Sequence, residues 1–294
     1  MRIGAIEAGG TKFICGVGNE RGDILEKISF PTTSPEETLG RTVDYLKTRQ
    51  VEAIGVGSFG PINLQKSSPK YGFITTTPKS GWSDCNVIGM LSHHFKVPFG
   101  WDTDVNAAAL GEATWGAAKG LNNCVYYTIG TGIGLGVYIE DRLVHGLMHP
   151  EGGHIAIKRH ESDSFNGNCP YHQDCLEGMA AGPAIEARWN RKAEQLPEDH
   201  AAWDMEAYYI AQALVNMILT LSPEKIILGG GVMKQSQLFA SIHKHVQHML
   251  NGYLNIDAIA SGIDRYIVPP GLKENAGICG ALALGIQALK DANK

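Results

Sequence analysis

The sequence predicts an α/β protein built as two related halves, and three observations carry that expectation. The 294 residues are 44% hydrophobic and 19% charged, a globular composition whose length, at roughly 100–200 residues per domain, suggests two domains. The 36 glycines gather at the ends of strand-like runs. Two stretches, "IGAIEAGGTKFICGVG" (3–18) and "NNCVYYTIGTGIGLGVYIEDRLV" (122–144), both read as strand, glycine turn, strand. Their recurrence, about 120 residues apart, suggests one unit used twice with a cleft between the halves. The alternative, that two glycine β-turns merely look alike, stays open on patterning alone.

The elements follow in order. Residues 3–18 form two strands joined at Gly9-Gly10. "SPEETLGRTVDYLK" (34–47) is a helix. Ser34 can cap it, Pro35 suits the first helical position, and Glu37 completes an S-x-x-E capping box. Leu39, Val43 and Leu46 recur on one face. "AIGVGSFGP" (53–61) is a short buried strand running into a loop. A helix near 85–95 precedes strand 97–102, and "VNAAALGEATWGAA" (105–118) is a helix rich enough in alanine to pack closely. After 122–144 comes an irregular section, 145–178, and then helices near 182–195 and 204–221. Strand 225–231, a helix near 237–250, strand "RYIVPP" (265–270) and a terminal helix (275–291) complete the chain.

Composition excludes several classes. The net charge is −5, and no Lys/Arg run is dense enough to track a phosphate backbone, which argues against a nucleic-acid partner. The first residues lead directly into a strand and lack signal-peptide character. No apolar run reaches the ~18 residues of a membrane span. Six scattered cysteines do not form a disulfide framework, so a reduced, cytoplasmic protein is expected, where a tight Cys/His cluster points to a metal.

Six motifs carry chemistry. "EAGGTK" (7–12) sets Gly9 and Gly10, whose amides can approach a phosphate closely, beside Thr11 and Lys12, a donor and a positive charge. It is not a P-loop, which needs G-x4-G-K-S/T opening a helix. "TIGTGIG" (128–134) and "LGGGVM" (228–233) are two further glycine loops at strand ends, and the three together favour a nucleotide cleft. In "WDTDVN" (101–106), Asp104 follows a strand at the start of a helix. A carboxylate there can take the proton of a hydroxyl attacking a phosphate, and the helix N-terminus would tend to keep it ionised. Alternatively Asp104 or Asp102 only caps the helix. "HPEGGH" (149–154) and Glu177 offer carboxylate and imidazole groups suited to sugar hydroxyls, or are loop-surface residues. Finally, Cys169, His172 and Cys175 stand at C-x2-H-x2-C. Tetrahedral zinc needs a fourth ligand, for which His154 and His160 are candidates and His149 a weaker one.

Together these motifs resemble the ROK family of sugar kinases from residue 3 to about 285. The resemblance implies the actin/hexokinase-like (ribonuclease H-like) duplicated α/β ATPase fold. It places a small N-terminal domain at 1–117, completed by the terminal helix 278–294, and a larger domain with a zinc loop at 118–277. "EAGGTK" resembles the family's first phosphate loop, "TIGTGIG" the second and "GGGVM" the adenosine loop. "HPEGGH" resembles the P-G-E-x-G-H signature, and "CPYHQDCLEG" the cysteine-rich zinc motif with its acidic sugar contact. By that resemblance Asp104 is the catalytic base. Gly60, Pro61, Thr103, Glu151, His154 and Glu177 face the sugar. Glu7, Gly9, Gly10, Thr11, Lys12, Thr131, Gly132, Gly182, Gly230, Gly231 and Asn275 face Mg2+-ATP, and His154, Cys169, His172 and Cys175 bind a structural zinc.

Three departures refine the expectation. Glu7 stands where the family's first loop usually has Asp, and its longer side chain can still orient the water shell of magnesium. His172 replaces a cysteine of the usual C-x-C-x4-C zinc motif. "DTDVN" differs from the "E-N-D" of the family's glucokinases and, with "GSFGP" (57–61), resembles the fructokinase branch. The implied activity is ATP-dependent phosphorylation of fructose on its 6-hydroxyl, the sugar lying between the halves, with a homodimer the family's common assembly. A glucokinase, mannokinase or broad hexose kinase is the alternative. A non-enzymatic sugar sensor is less favoured, because the family's repressors carry a helix-turn-helix ahead of the kinase-like body and Met1 lies only two residues from the first strand.

Overall fold

The computed structural model describes residues 1–294. In chain order its first elements are β1 (Ile3–Ala8), β2 (Lys12–Gly18), β3 (Ile24–Pro31), α1 (Pro35–Leu46), β4 (Ala53–Ser58), β5 (Phe73–Ile74), β6 (Cys85–Asn86), α2 (Val87–His94), β7 (Phe99–Thr103) and α3 (Asp104–Trp115). There follow β8 (Cys124–Ile129), β9 (Ile133–Ile139), β10 (Arg142–Leu143), α4 (Leu176–Ala180), α5 (Gly182–Trp189), α6 (Ala202–Leu221), β11 (Lys225–Gly229) and α7 (Gln237–Leu250). The chain closes with α8 (Asp257–Ala260), α9 (Ile263–Tyr266), β12 (Ile267–Val268) and α10 (Ala276–Ala292).

Two units result. One comprises Met1–Gly120, Arg142–Pro150 and Gly271–Lys294; the other comprises Leu121–Asp141 and Glu151–Pro270. The division differs from the sequence expectation in three respects, the first being that the opening segment runs on to Gly120 rather than 117. Residues 142–150 group with the first unit, because His145 bonds to Asp102 and His149 to the Ile62 amide. The first unit's terminal portion also begins at Gly271, where the buried carboxylate of Glu112 receives the backbone.

The sheets repeat one plan. In the first unit the order is β3-β2-β1-β4-β7, and the other sheet runs β10-β9-β8-β11-β12. In each, the opening pair is antiparallel (β1 with β2, β8 with β9) and the next strand joins parallel (β4 on β1, β11 on β8). A fifth strand adds in parallel at the far side. The duplication read from two glycine turns is thus a duplication of topology.

Local chemistry explains most boundaries. The Ser34 hydroxyl accepts the Glu37 amide at 3.3 Å to start α1. Glu37 itself takes the Thr33 hydroxyl (2.8 Å) and Arg41, so Thr33 supplies what the capping box would have taken from the Ser34 amide. Helix α5 stops at Trp189, short of the expected 195, because Asn190 turns left-handed at φ 52°. The edge strand β3 escaped sequence reading. Its burial alternates only weakly along ILEKISFP, as befits a strand with one neighbour and a wetted face.

The placement of α3 and α10 matters most for the site. A Cβ on Gly280 would lie 1.7 Å from the Ala107 carbonyl oxygen, and one on Gly55 would lie 1.7 Å from that of Ala281. Glycine at these two positions lets α10 lie backbone-on-backbone against α3 and β4. Gly111, one turn on from Ala107, completes the contact, since a Cβ there would lie 2.8 Å from the Ala276 carbonyl oxygen.

At the other end of α3, the carboxylate of Glu112, fully buried, accepts the amides of Ala117 (2.6 Å), Gly271 (2.9 Å) and Leu272 (2.9 Å). Removing it takes a charged acceptor from three part-buried amides at once. Glu112→Ala is therefore expected to cost about 3 kcal/mol of stability, read as a lower midpoint in urea unfolding. A variant within 0.5 kcal/mol of the parent (about the noise of surface changes) would show that these amides find other partners.

Candidate active site

In the first unit, the carboxylates cluster at the ends of parallel strands. Thr103, not Asp102 or Asp104, caps α3: its hydroxyl accepts the Asn106 amide at 3.1 Å. That leaves Asp104 as the first residue of the helix, with Oδ1 on the Val105 amide at 2.9 Å. The helix N-terminus favours the ionised form of Asp104 through these amide bonds, as expected, but burial acts against it. Burial outweighs the amide bonds and raises its pKa to about 6. The group is mostly ionised at neutral pH yet a usable proton acceptor.

Glu7, at the end of β1, presses its carboxyl onto Gly277 at the start of α10. A Cβ there would come within 2.5 Å of Glu7 Cδ. Burial first, then the Asp104 charge, lift the Glu7 pKa to about 7, against the pull of Lys12, Lys27 and the Ile278 amide. Because this pKa is raised on folding, the stability it lends is complete below about 4.5 and lost as pH climbs through about 7. In magnesium-free buffer Glu7→Gln should therefore stabilise the protein by about 3 kcal/mol at pH 8 and by less than about 1 kcal/mol at pH 5. Thermal melts at the two pH values check this, and an equal effect at both would remove the titration as its cause.

Gly9 and Gly10 form the β1–β2 turn, the Gly9 amide reaching the Lys12 carbonyl at 3.0 Å. Nothing lies within 4 Å of a Cβ placed on Gly10, and Thr11 and Lys12 are exposed. Pro61 accepts both the Thr75 amide (2.8 Å) and hydroxyl (3.0 Å). Gly60 lies beside the ring of His149. Asn275, on the turn ahead of α10, belongs to this unit, and Lys27 holds its side-chain oxygen at 2.6 Å.

In the second unit, the β8–β9 turn holds Thr131 and Gly132. The Gly130 amide donates to the Gly132 carbonyl (2.9 Å), and the Gly182 amide donates to that of Gly130 (2.7 Å). Gly230 is left-handed at φ 93° and, with Gly231, leads from β11 into a short 3-10 turn. Glu151 precedes the 3-10 turn Gly152–His154. That turn needs its glycines, since a Cβ on Gly153 would be 1.8 Å from the Ile133 carbonyl oxygen. Glu177, in the first turn of α4, joins two motifs. Its Oε2 accepts the Ile133 amide at 2.8 Å, and its Oε1 lies 4.0 Å from His154 Nε2.

The same histidine turns its other nitrogen to the cysteines. His154 Nδ1 lies 3.8 Å from Cys169 Sγ and 3.5 Å from Cys175 Sγ, and His172 Nδ1 lies 3.8 Å from Cys169 Sγ. All four ligand atoms fall within 4.8 Å of one another. Metal bonds of about 2.3 Å to sulfur and 2.0–2.1 Å to nitrogen put tetrahedral S and N ligands roughly 3.6 Å apart. The donor set and its spacing fit four-coordinate zinc. His160 is not in the cluster: its Nδ1 bonds Ser162 at 2.8 Å. His149 belongs to the first unit, with Nε2 on the Ile62 amide at 3.1 Å.

Sequence reading missed the pairing of Asp102 with His145 (2.8 Å) and the accommodation of Glu7 by Gly277. No local signal marks either: the partners are 43 and 270 residues apart.

The duplicated sheets and their glycine turns define an actin/hexokinase-like protein. A ROK hexokinase from Thermus thermophilus superposes with a TM-score of 0.81 at 24% identity, covering 99% of this chain and 100% of that one. The chain belongs to the ROK family, which its sequence matches over residues 3–288. It is 49% identical over 292 residues to a fructokinase of Pediococcus pentosaceus, spanning 99% of this chain and 100% of that protein. To a fructokinase of Lactococcus lactis subsp. cremoris it is 47% identical over 273 residues, 92% of each.

Proposed function

We propose that the protein is an ATP-dependent fructokinase that phosphorylates the 6-hydroxyl of fructose. The observation that carries the reading is the near end-to-end identity of 49% to a fructokinase. The chemistry of the first unit supports it, since Thr103 does the capping and leaves Asp104 to serve as base. As the 6-oxygen bonds to the γ-phosphorus, its proton passes to Asp104. The bond to the bridging oxygen breaks and ADP leaves with the electron pair.

In the second unit Glu151, His154 and Glu177 hold sugar hydroxyls, and in the first Gly60, Pro61 and Thr103 are assigned to the same ligand. Glu177 Oε2 is committed to the Ile133 amide, so Oε1 is the oxygen offered to the sugar. Gly9, Gly10, Thr11, Lys12, Thr131 and Gly132 receive the phosphates, supported by Gly182. Gly230, Gly231 and Asn275 take the adenosine side. Magnesium arriving with ATP supplies neutralisation of phosphate charge, and Glu7 orients its water shell. Closure that excludes water keeps ATP from hydrolysis.

His154, Cys169, His172 and Cys175 hold a structural zinc. Four protein ligands leave no open position for substrate, so its contribution is to orient His154. A homodimer is the expected assembly. No helix is long and apolar enough to cross a membrane.

The test is an ATP-coupled assay over fructose, mannose and glucose. A kcat/KM for fructose well above the others supports the reading. Equal rates would make it a broad hexose kinase, and no turnover on any hexose would refute it.

A further inference from the structure

The pair Asp102–His145 has no role in the scheme above, and its construction is unusual for a surface loop. Asp102, at the end of β7 and two residues before Asp104, is 2% exposed. Its Oδ1 accepts the Asn106 side-chain amide (2.7 Å) and the Thr103 amide (2.8 Å), while Oδ2 lies 2.8 Å from His145 Nε2. Both oxygens of a buried carboxylate are thus occupied, and its ionisable bonding partner is one imidazole. That imidazole is not buried: the His145 side chain is 39% exposed. Its Nε2 is committed to Asp102, and its Nδ1 bonds no protein group. The charged and titratable groups facing this ring are Asp102 and, more weakly, His149.

The loop carrying His145 is fastened at two points to the segments assigned to the sugar. At His145 it meets the β7–α3 junction beside Thr103 and Asp104. At His149 it receives the Ile62 amide and packs on Gly60. If the pair served only to fasten the loop, a neutral amide would do so without burying a charge. An aspartate on one nitrogen of a half-exposed imidazole instead fixes the ring and presents the other nitrogen as a defined polar group.

Resting on the sugar-kinase reading, we propose that His145, oriented by Asp102 through Nε2, contacts a hydroxyl of the bound ketohexose through Nδ1. His145 is then a further substrate-positioning residue, and Asp102 acts through it.

The test separates contact from anchorage. Glutamine places its amide nitrogen where Nε2 sits, so His145→Gln keeps the bond to Asp102 and has no group at the Nδ1 position. His145→Gln is expected to raise the KM for fructose by about 10- to 100-fold, the range of one strong hydrogen bond. Its ATP KM and melting temperature should stay at parent values. A fructose KM equal to the parent's would show that anchorage alone suffices and overturn the proposal, as would an equal rise in both KM values. Should the variant not fold, nitrogen NMR of the unsubstituted protein decides: added fructose should shift the His145 Nδ1 resonance, and no shift overturns the contact. Hexose turnover by the unsubstituted protein is measured first. If it phosphorylates no hexose, the sugar-kinase reading has failed; if it phosphorylates fructose and His145→Gln is unchanged, only the present inference has failed.

Discussion

Asp104→Asn is expected to lower kcat by about 10²- to 10⁴-fold, the usual share of a general base, with the fructose KM changed only a few-fold. The amide keeps the shape and the acceptor for the Val105 amide at 2.9 Å, so the helix start should persist. What it loses is the ability to take the hydroxyl proton. The burial that raises the Asp104 pKa to about 6 makes two further predictions. With the ionised form as base, kcat/KM for the parent should fall as pH drops through about 6, whereas the residual activity of Asp104→Asn should not follow that limb. The raised pKa also means that ionising Asp104 costs folding free energy as pH rises. Asp104→Asn should therefore be at least as stable as the parent at pH 8. Near-normal turnover in the variant would remove Asp104 from the role of base. A loss of turnover accompanied by a lower melting temperature would trace the defect to folding.

The sequence was informative where function depends on neighbours along the chain. Asp104 after a strand, the glycine pairs at 9–10 and 230–231, and the Cys169-His172-Cys175 spacing are local patterns whose chemistry follows from a few adjacent residues. It was less informative where distant residues share one atom's worth of space. That Glu7 fits only because residue 277 lacks a Cβ is a property of two chain ends. That Glu177 holds the Ile133 amide is a contact across 44 residues, and it makes a residue read as a sugar contact also a support of the β8–β9 turn. The helix cap shows the same limit at short range. Asp102, Thr103 and Asp104 all have capping side chains, and only the backbone geometry assigns the cap to Thr103. The edge strand β3 and the short helices α8 and α9 were missed because elements of one turn, or with one wetted face, carry too little hydrophobic periodicity to register.

Metal removal probes the link between the cysteine loop and the sugar. His154 faces the Cys169–Cys175 sulfurs through Nδ1 and Glu177 through Nε2, so a metal on Nδ1 fixes the ring that sits beside Glu177 Oε1. Stripping zinc with a chelator, or substituting Cys175→Ser, should therefore raise the fructose KM by about 10- to 100-fold, the scale on which orienting partners act. The melting temperature should fall as well, since a metal held only by the folded chain stabilises it. ATP should suffer less. The turn holding Thr131 and Gly132 has its own bonds, Gly130 amide to Gly132 carbonyl and Gly182 amide to Gly130 carbonyl, and does not depend on Glu177 alone. The ordered loss is the discriminating result. Elemental analysis must first find close to one zinc per chain and its loss on treatment. If the fructose and ATP KM values then rise together, the metal supports the unit as a whole. If neither changes after zinc is gone, the cluster does not position His154 for the sugar. A selective rise for fructose, with ATP within about twofold, a difference below 0.5 kcal/mol, places the metal's influence on His154 and Glu177.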